Sequence, residues 1–122
     1  MSRPQAAEPV KLIMSLFAAD PDVLRASLAC LSETYGLADY LSRPLPFEYT
    51  PYYAAEMGPA LVRRFVAYET LLRPESLPDV KNLTNELEER FAVDGKRRIN
   101  LDPGYIAKAH LILATGKGYT HR

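Results

Sequence analysis

Apolar positions along the chain change period several times, and the changes mark out its elements. Val10 to Phe17 is a short, nearly continuous apolar run stopped by Ala18, Ala19, Asp20 and Pro21, the length and punctuation of a buried strand. Asp20 then offers an N-cap oxygen, and Pro21 suits the first helical position, where a missing N–H costs nothing. Leu24, Leu28, Leu31 and Tyr35 recur at helical spacing, and Gly36 can end that helix at positive φ. Leu37 to Arg43 reads as a short strand closed by Pro44 and Pro46.

The segment Pro46 to Pro59 concentrates Phe47, Tyr49, Tyr52 and Tyr53, and predicts an ordered loop over an edge or pocket, with a helical turn from Tyr52 to Met57 broken by Gly58. Leu61 to Thr70 reads as a strand, so Arg63 and Arg64 must point to opposite faces. Ser76 with Asp79 resembles a capping box, and Val80, Leu83, Leu87 and Phe91 form the next helical stripe, closed by Asp94 and Gly95. Arg97, Ile99 and Leu101 alternate with Arg98 and Asn100 as in a strand. Asp102, Pro103, Gly104 and Tyr105 fit a type II turn. Beyond it, Ile106 to Thr115 suits a return strand, although its alanines also permit a helix.

The order of elements predicts an α+β fold: an antiparallel sheet with two helices on one face, of the ferredoxin-like βαββαβ type. The chain divides into a disordered N-terminal segment, 1–9, and a single α+β domain, 10–122, a length suited to one core. Lys plus Arg and Asp plus Glu number 15 each, so net charge gives no reason to expect nucleic acid or a membrane as partner. The distribution is uneven. Residues 96–122 hold six basic side chains against Asp102 alone, whereas residues 1–95 hold nine against fourteen acidic ones. With Cys30 as the single cysteine, neither an internal disulfide nor a cysteine zinc site can be built, and the expected localisation is cytoplasmic.

The stretches PVKLIMSLF, LPFEYTPYYAAEMGPALVRRFVAYETL and the C-terminal DVKNLTNELEERFAVDGKRRINLDPGYIAKAHLILATGKGYTHR resemble the domain of unknown function DUF4416 of bacteria and archaea. YYAAEMG, LTNELEE and NLDPGY with the later THR carry the resemblance, which runs from Pro9 onward. It implies no established activity. Some members carry a GTP-binding label, and members continue beyond the His-Arg pair, so a C-terminally shortened domain is expected here.

The nucleotide label meets no P-loop: Gly116, Lys117, Gly118, Tyr119 and Thr120 have neither the spacing nor the hydroxyl beside the lysine that phosphate and magnesium require. The two-histidine phosphoesterases need His-x-Ser or His-x-Thr twice, and here Thr120 precedes a lone His121. Acid-base work would fall to Glu56, Asp102 or His121, and no short spacing joins His110, His121, Glu56 and Asp102 into a metal site, so no metal is expected and no cofactor is named. An RNA-binding sheet would need exposed aromatics such as Tyr68, Tyr105 and the Phe47–Tyr53 cluster beside the basic residues, a weaker reading than aromatics in a core or interface. The expected function is the binding of an anionic small molecule or nucleotide at a basic edge made by Arg63, Arg64, Arg97, Arg98, Asn100, Asp102, Tyr105, Lys117, His121 and Arg122. The alternative is a non-enzymatic interaction or homo-oligomerisation module, using an open sheet edge with Tyr52 and Tyr53.

Overall fold

The computed structural model describes residues 8–47 and 51–107. Strand β1, Val10–Ala18, pairs antiparallel with two later strands, β4 (Val62–Leu72) and β5 (Ile99–Ile106). That central place explains its apolar run. Leu12, Met14, Leu16 and Ala18 all fall on the face covered by the two long helices, where none is more than 2% exposed. Strand β2, Ala38–Leu41, adds to the outer side of β4, as does the two-residue β3, Leu45–Pro46. The sheet order β2-β4-β1-β5 is antiparallel throughout and leaves β1 and β2 parallel but separated by β4. This is the ferredoxin-like arrangement.

Helix α1, Pro21–Tyr35, starts where the local chemistry requires: Asp20 Oδ1 accepts the Asp22 N–H at 2.8 Å and Pro21 opens the helix. It stops at Gly36, whose φ of +84° only glycine adopts cheaply and whose N–H donates to the Ser32 carbonyl. Leu24 and Leu31 are buried, with Leu28 and Tyr35 packed beside them. A second, short helix α2, Pro51–Met57, precedes Gly58, also at positive φ. The third, α3, Leu77–Phe91, buries Val80, Thr84 and Leu87 against the same core as α1.

Three local expectations change in the folded chain. Ser76 does not cap α3, because it sits in helical geometry (φ −78°, ψ −13°) at the end of a 3-10 turn, Pro74–Ser76, that runs straight into the helix. Asp94 and Gly95, expected to close α3, instead form a tight turn after it: both have positive φ, and Val93 and Lys96 exchange two backbone hydrogen bonds across them. Two consecutive positive φ values in an Asp-Gly pair mark a type I′ turn.

The third change matters most for the site. Asp102–Tyr105 is no turn but the middle of β5, paired with Ser15, Met14, Ile13 and Leu12. Leu101 N–H points away from β1, since it donates to Glu88 Oε2 of α3 at 2.7 Å. By alternation the Pro103 nitrogen is turned the same way, so its lack of a proton breaks no bond to β1. Gly104 lies over Ile13, where an added Cβ would make only ordinary contact at 3.8 Å. The expected return strand, Ile106 to Thr115, falls from residue 108 onward outside the described residues.

One buried group is poorly matched to its place. The Tyr68 ring is 1% exposed in the main core, and its hydroxyl has no partner among the described residues. Burial, with the neighbouring Tyr35 adding to it, pushes its pKa up to about 12. The unfolded chain therefore releases this proton near pH 10 while the native chain keeps it, so stability falls as pH rises from 10 towards 12. Tyr68→Phe removes an unpaired buried hydroxyl at little change in shape; it is expected to raise stability by about 1 kcal/mol at neutral pH and to flatten that alkaline decline, measured by urea unfolding at several pH values.

Candidate functional site

The antiparallel register decides which side chains share a face, because directly paired residues point the same way. On the side away from α1 and α3, three rows cross β4, β1 and β5. Arg63, Phe17 and Asn100 form the first, Phe65, Ser15 and Asp102 the second, and Ala67, Ile13 and Gly104 the third. α2 covers the first row. Its Tyr53 and Met57 pack on Phe17 together with Leu61 and Phe47, a small second core separate from the main one. Phe17 and Phe47 stack at 4.6 Å between centroids, and Tyr53 meets Phe17 edge-on at 4.9 Å.

Arg63 enters this aromatic group as a cation. Its guanidinium carbon lies 4.1 Å from the Phe47 ring centre, 5.5 Å from Phe17 and 5.7 Å from Phe65. The rings hold the side chain in place but offer no acceptor. Its Nε is buried without a hydrogen-bond partner among the described residues, and no carboxylate among them pairs with it. Ser15 Oγ in the neighbouring row is likewise buried and unpartnered among them. Phe65, paired with Ser15, remains 41% exposed.

Across β1 the polar groups satisfy one another. Arg97 donates from Nε and its backbone N–H to Glu56 Oε2 and from Nη2 to Glu56 Oε1, each at 3.0 Å, tying α2 to the entry of β5. Its Nη1 donates to Asn100 Oδ1 at 2.8 Å, and Asn100 Nδ2 donates to Asp102 Oδ2 at 2.7 Å. The Arg97 side chain, and then its backbone N–H, hold the Glu56 carboxyl below its usual pKa, while Glu56 raises that of Arg97. This chain of four residues is a strut whose far end, Asp102, is exposed.

The residues expected to form one basic edge are thus divided between two faces. Arg63, Asn100 and Asp102 share the side away from the long helices, and Arg97 reaches Asn100 from the edge of β5, beside Glu88 and Glu89 of α3. Arg64, paired with Leu16, lies on the opposite side and donates Nε and Nη2 to the Ser42 carbonyl at 2.9 and 2.6 Å. Arg98 reaches the start of α1, where it pairs with Asp20 at 3.1 Å. Tyr105 pairs with Leu12 on the helix side. Lys117, His121 and Arg122 lie outside the described residues, as does His110. Of the two tyrosines considered for association, Tyr53 is packed on Phe17, whereas Tyr52 is 77% exposed.

Ser15 and Phe65 belong to the same face although neither stood out in the sequence. Ser15 is a lone hydroxyl inside the apolar run of β1, a signal that can be found; the exposure of Phe65 cannot be read without the partner strands. Chemically, the face offers a fixed guanidinium with unused donors, a hydroxyl, a carboxylate and an exposed ring. Ser15 Oγ meets no base among the described residues.

Among the described residues no helix is long and apolar enough to cross a membrane, and no three His, Cys, Asp or Glu gather as metal ligands. No curated protein matches the chain. A family model does match, over residues 8–122, and lends no support to the expected C-terminal shortening. The aromatic segment that builds the second core and the NLDPGY strand both lie within that match, and the chain belongs to the family described as a domain of unknown function, DUF4416.

Proposed function

We propose that this protein binds a small anionic molecule on the open face of its sheet, with Arg63 as the anchoring cation. One observation carries the reading: a guanidinium held on Phe47 at 4.1 Å whose charge meets no acceptor among the described residues. Arginine donors in a fixed fork suit carboxylate and phosphate oxygens, and holding the side chain beforehand reduces the entropy lost on binding. Ser15 adds a hydroxyl, Asp102 an acceptor for a ligand O–H or N–H, and Phe65 a surface on which a planar ring can stack. A nucleoside phosphate combines these features and is the finer form of the proposal.

The test is thermal unfolding against nucleotides and phosphorylated metabolites, for the protein as it stands and for Arg63→Met and Arg98→Met. A ligand at one hundred times its dissociation constant stabilises the native state by about 2.7 kcal/mol. The expected result is a shift with one ligand class that Arg63→Met removes and Arg98→Met, whose arginine is paired with Asp20 at the start of α1, retains. Equal shifts in all three proteins, or no shift across the panel, would overturn the assignment.

A further inference from the structure

A separate cavity of about 320 Å³ lies on the helix side of the sheet, between the start of α1 and the Pro44 segment. Its walls are mostly apolar: Ala18, Ala19, Leu24, Leu28, Pro44 and Val62. Two arginines, Arg25 and Arg64, also line it. Their situations differ. Arg25 pairs with Asp22 one helical turn away and is largely in solvent. Arg64 is partly buried, and its two donated bonds go to a neutral carbonyl, that of Ser42.

The charge on Arg64 therefore has no carboxylate partner among the described residues, and its Nη1 has no acceptor among them. The nearby acids are already engaged, Asp20 with Arg98 and Asp22 with Arg25. An anion that enters beside a partly buried guanidinium gains a charge-assisted hydrogen bond that the neutral Ser42 carbonyl does not replace. The two Ser42 bonds aim the guanidinium while leaving donors over, because the group carries five N–H. Apolar walls with one unpaired charge select a ligand with the same division.

We infer that this cavity binds a small carboxylic acid with an apolar body, its carboxylate on Arg64 and its carbon chain against Leu24, Leu28 and Val62. The volume lies at the small end for ligand pockets and corresponds to roughly ten waters, so acids of about ten non-hydrogen atoms fit. This site is independent of Arg63, which lies on the other face of β4.

Octanoate is the probe, with 1-octanol as its uncharged counterpart, each titrated calorimetrically into the full chain. Octanoate is expected to bind saturably and at least tenfold more tightly than 1-octanol. Arg64→Met should bring octanoate down to the level of the alcohol, and Arg64→Lys, which keeps the charge and a donor to Ser42, should recover part of the difference. Leu28→Trp, which fills the cavity without touching the charge, should block both molecules. Thermal unfolding of each variant establishes that it is folded under the titration conditions. No octanoate binding, equal affinity for acid and alcohol, or octanoate binding unchanged in Leu28→Trp would each overturn the proposal.

Discussion

Phe17→Ala is expected to destabilise the protein by about 3–5 kcal/mol, the range for removing a large buried aromatic side chain. The ring is 1% exposed and stacks on Phe47 at 4.6 Å, meets Tyr53 at 4.9 Å, and lies under the Arg63 guanidinium. Phe17 is the part of the sheet on which the second core is built. Its loss should therefore do more than lower the urea midpoint: hydrogen exchange in α2 should accelerate more than in α1 or α3, whose contacts belong to the other cluster. Leu31→Ala, fully buried in that main cluster, is the comparison: it should cost about 2–5 kcal/mol while leaving α2 protection relative to the helices unchanged. A uniform increase in exchange in both variants would show that the two clusters unfold as one and that α2 has no separate attachment.

Arg97→Met is expected to cost about 1–3 kcal/mol at neutral pH, because it removes the side-chain bonds to Glu56 and Asn100 and leaves a half-buried carboxylate short of donors. The pH dependence gives the cause a distinct signature. The Glu56 pKa is lowered in the folded state, first by the Arg97 side chain. A lowered carboxylate contributes stability that is complete above its unfolded value, about 4.3 for glutamate, and is lost as pH falls through the lower folded value. The gap between wild type and variant should therefore be widest near neutrality and close in acid. A gap of constant size from pH 7 to pH 3 would instead point to packing of the arginine stem. The backbone N–H of Arg97 still donates to Glu56 in the variant, so part of the pKa lowering persists.

Local signals were readable wherever the interaction they encode is local. Asp20-Pro21 starts α1 and Gly36 ends it, because an N-cap oxygen, a fixed proline φ and a cheap positive φ act within a few residues. The stripes of α1 and α3 and the alternation of β4 follow from helix and strand geometry, so the α+β class and the opposite directions of Arg63 and Arg64 were visible too. Asp102-Pro103-Gly104-Tyr105 failed for the complementary reason. A Pro-Gly pair favours a turn in isolation, but eight residues of pairing with β1 and an outward-facing proline nitrogen favour the strand. Ser76 follows the same rule, its capping geometry lost to the 3-10 turn ahead of α3.

The candidate site shows the same division more sharply. Arginines, aromatics and a lone serine in an apolar strand could be noted in the chain, but which of them meet depends on register between residues many positions apart. Pairing of Phe17 with both Arg63 and Asn100 places the cation and the Asn100–Asp102 end of the polar strut on one face, while Arg64 turns to the other and Arg98 reaches Asp20 at the start of α1. Which arginines were already satisfied likewise required tertiary neighbours, since Glu56 lies 41 residues from Arg97 and Asp20 lies 78 from Arg98. The sequence by itself determined the elements, their periodicity and the family; only the tertiary structure decided which charges were neutralised and which two partly buried arginines, on opposite faces, have no carboxylate partner among the described residues. Hydrophobic periodicity and caps are short-range, whereas the pairing of a charge depends on whichever distant group the sheet brings within hydrogen-bonding reach.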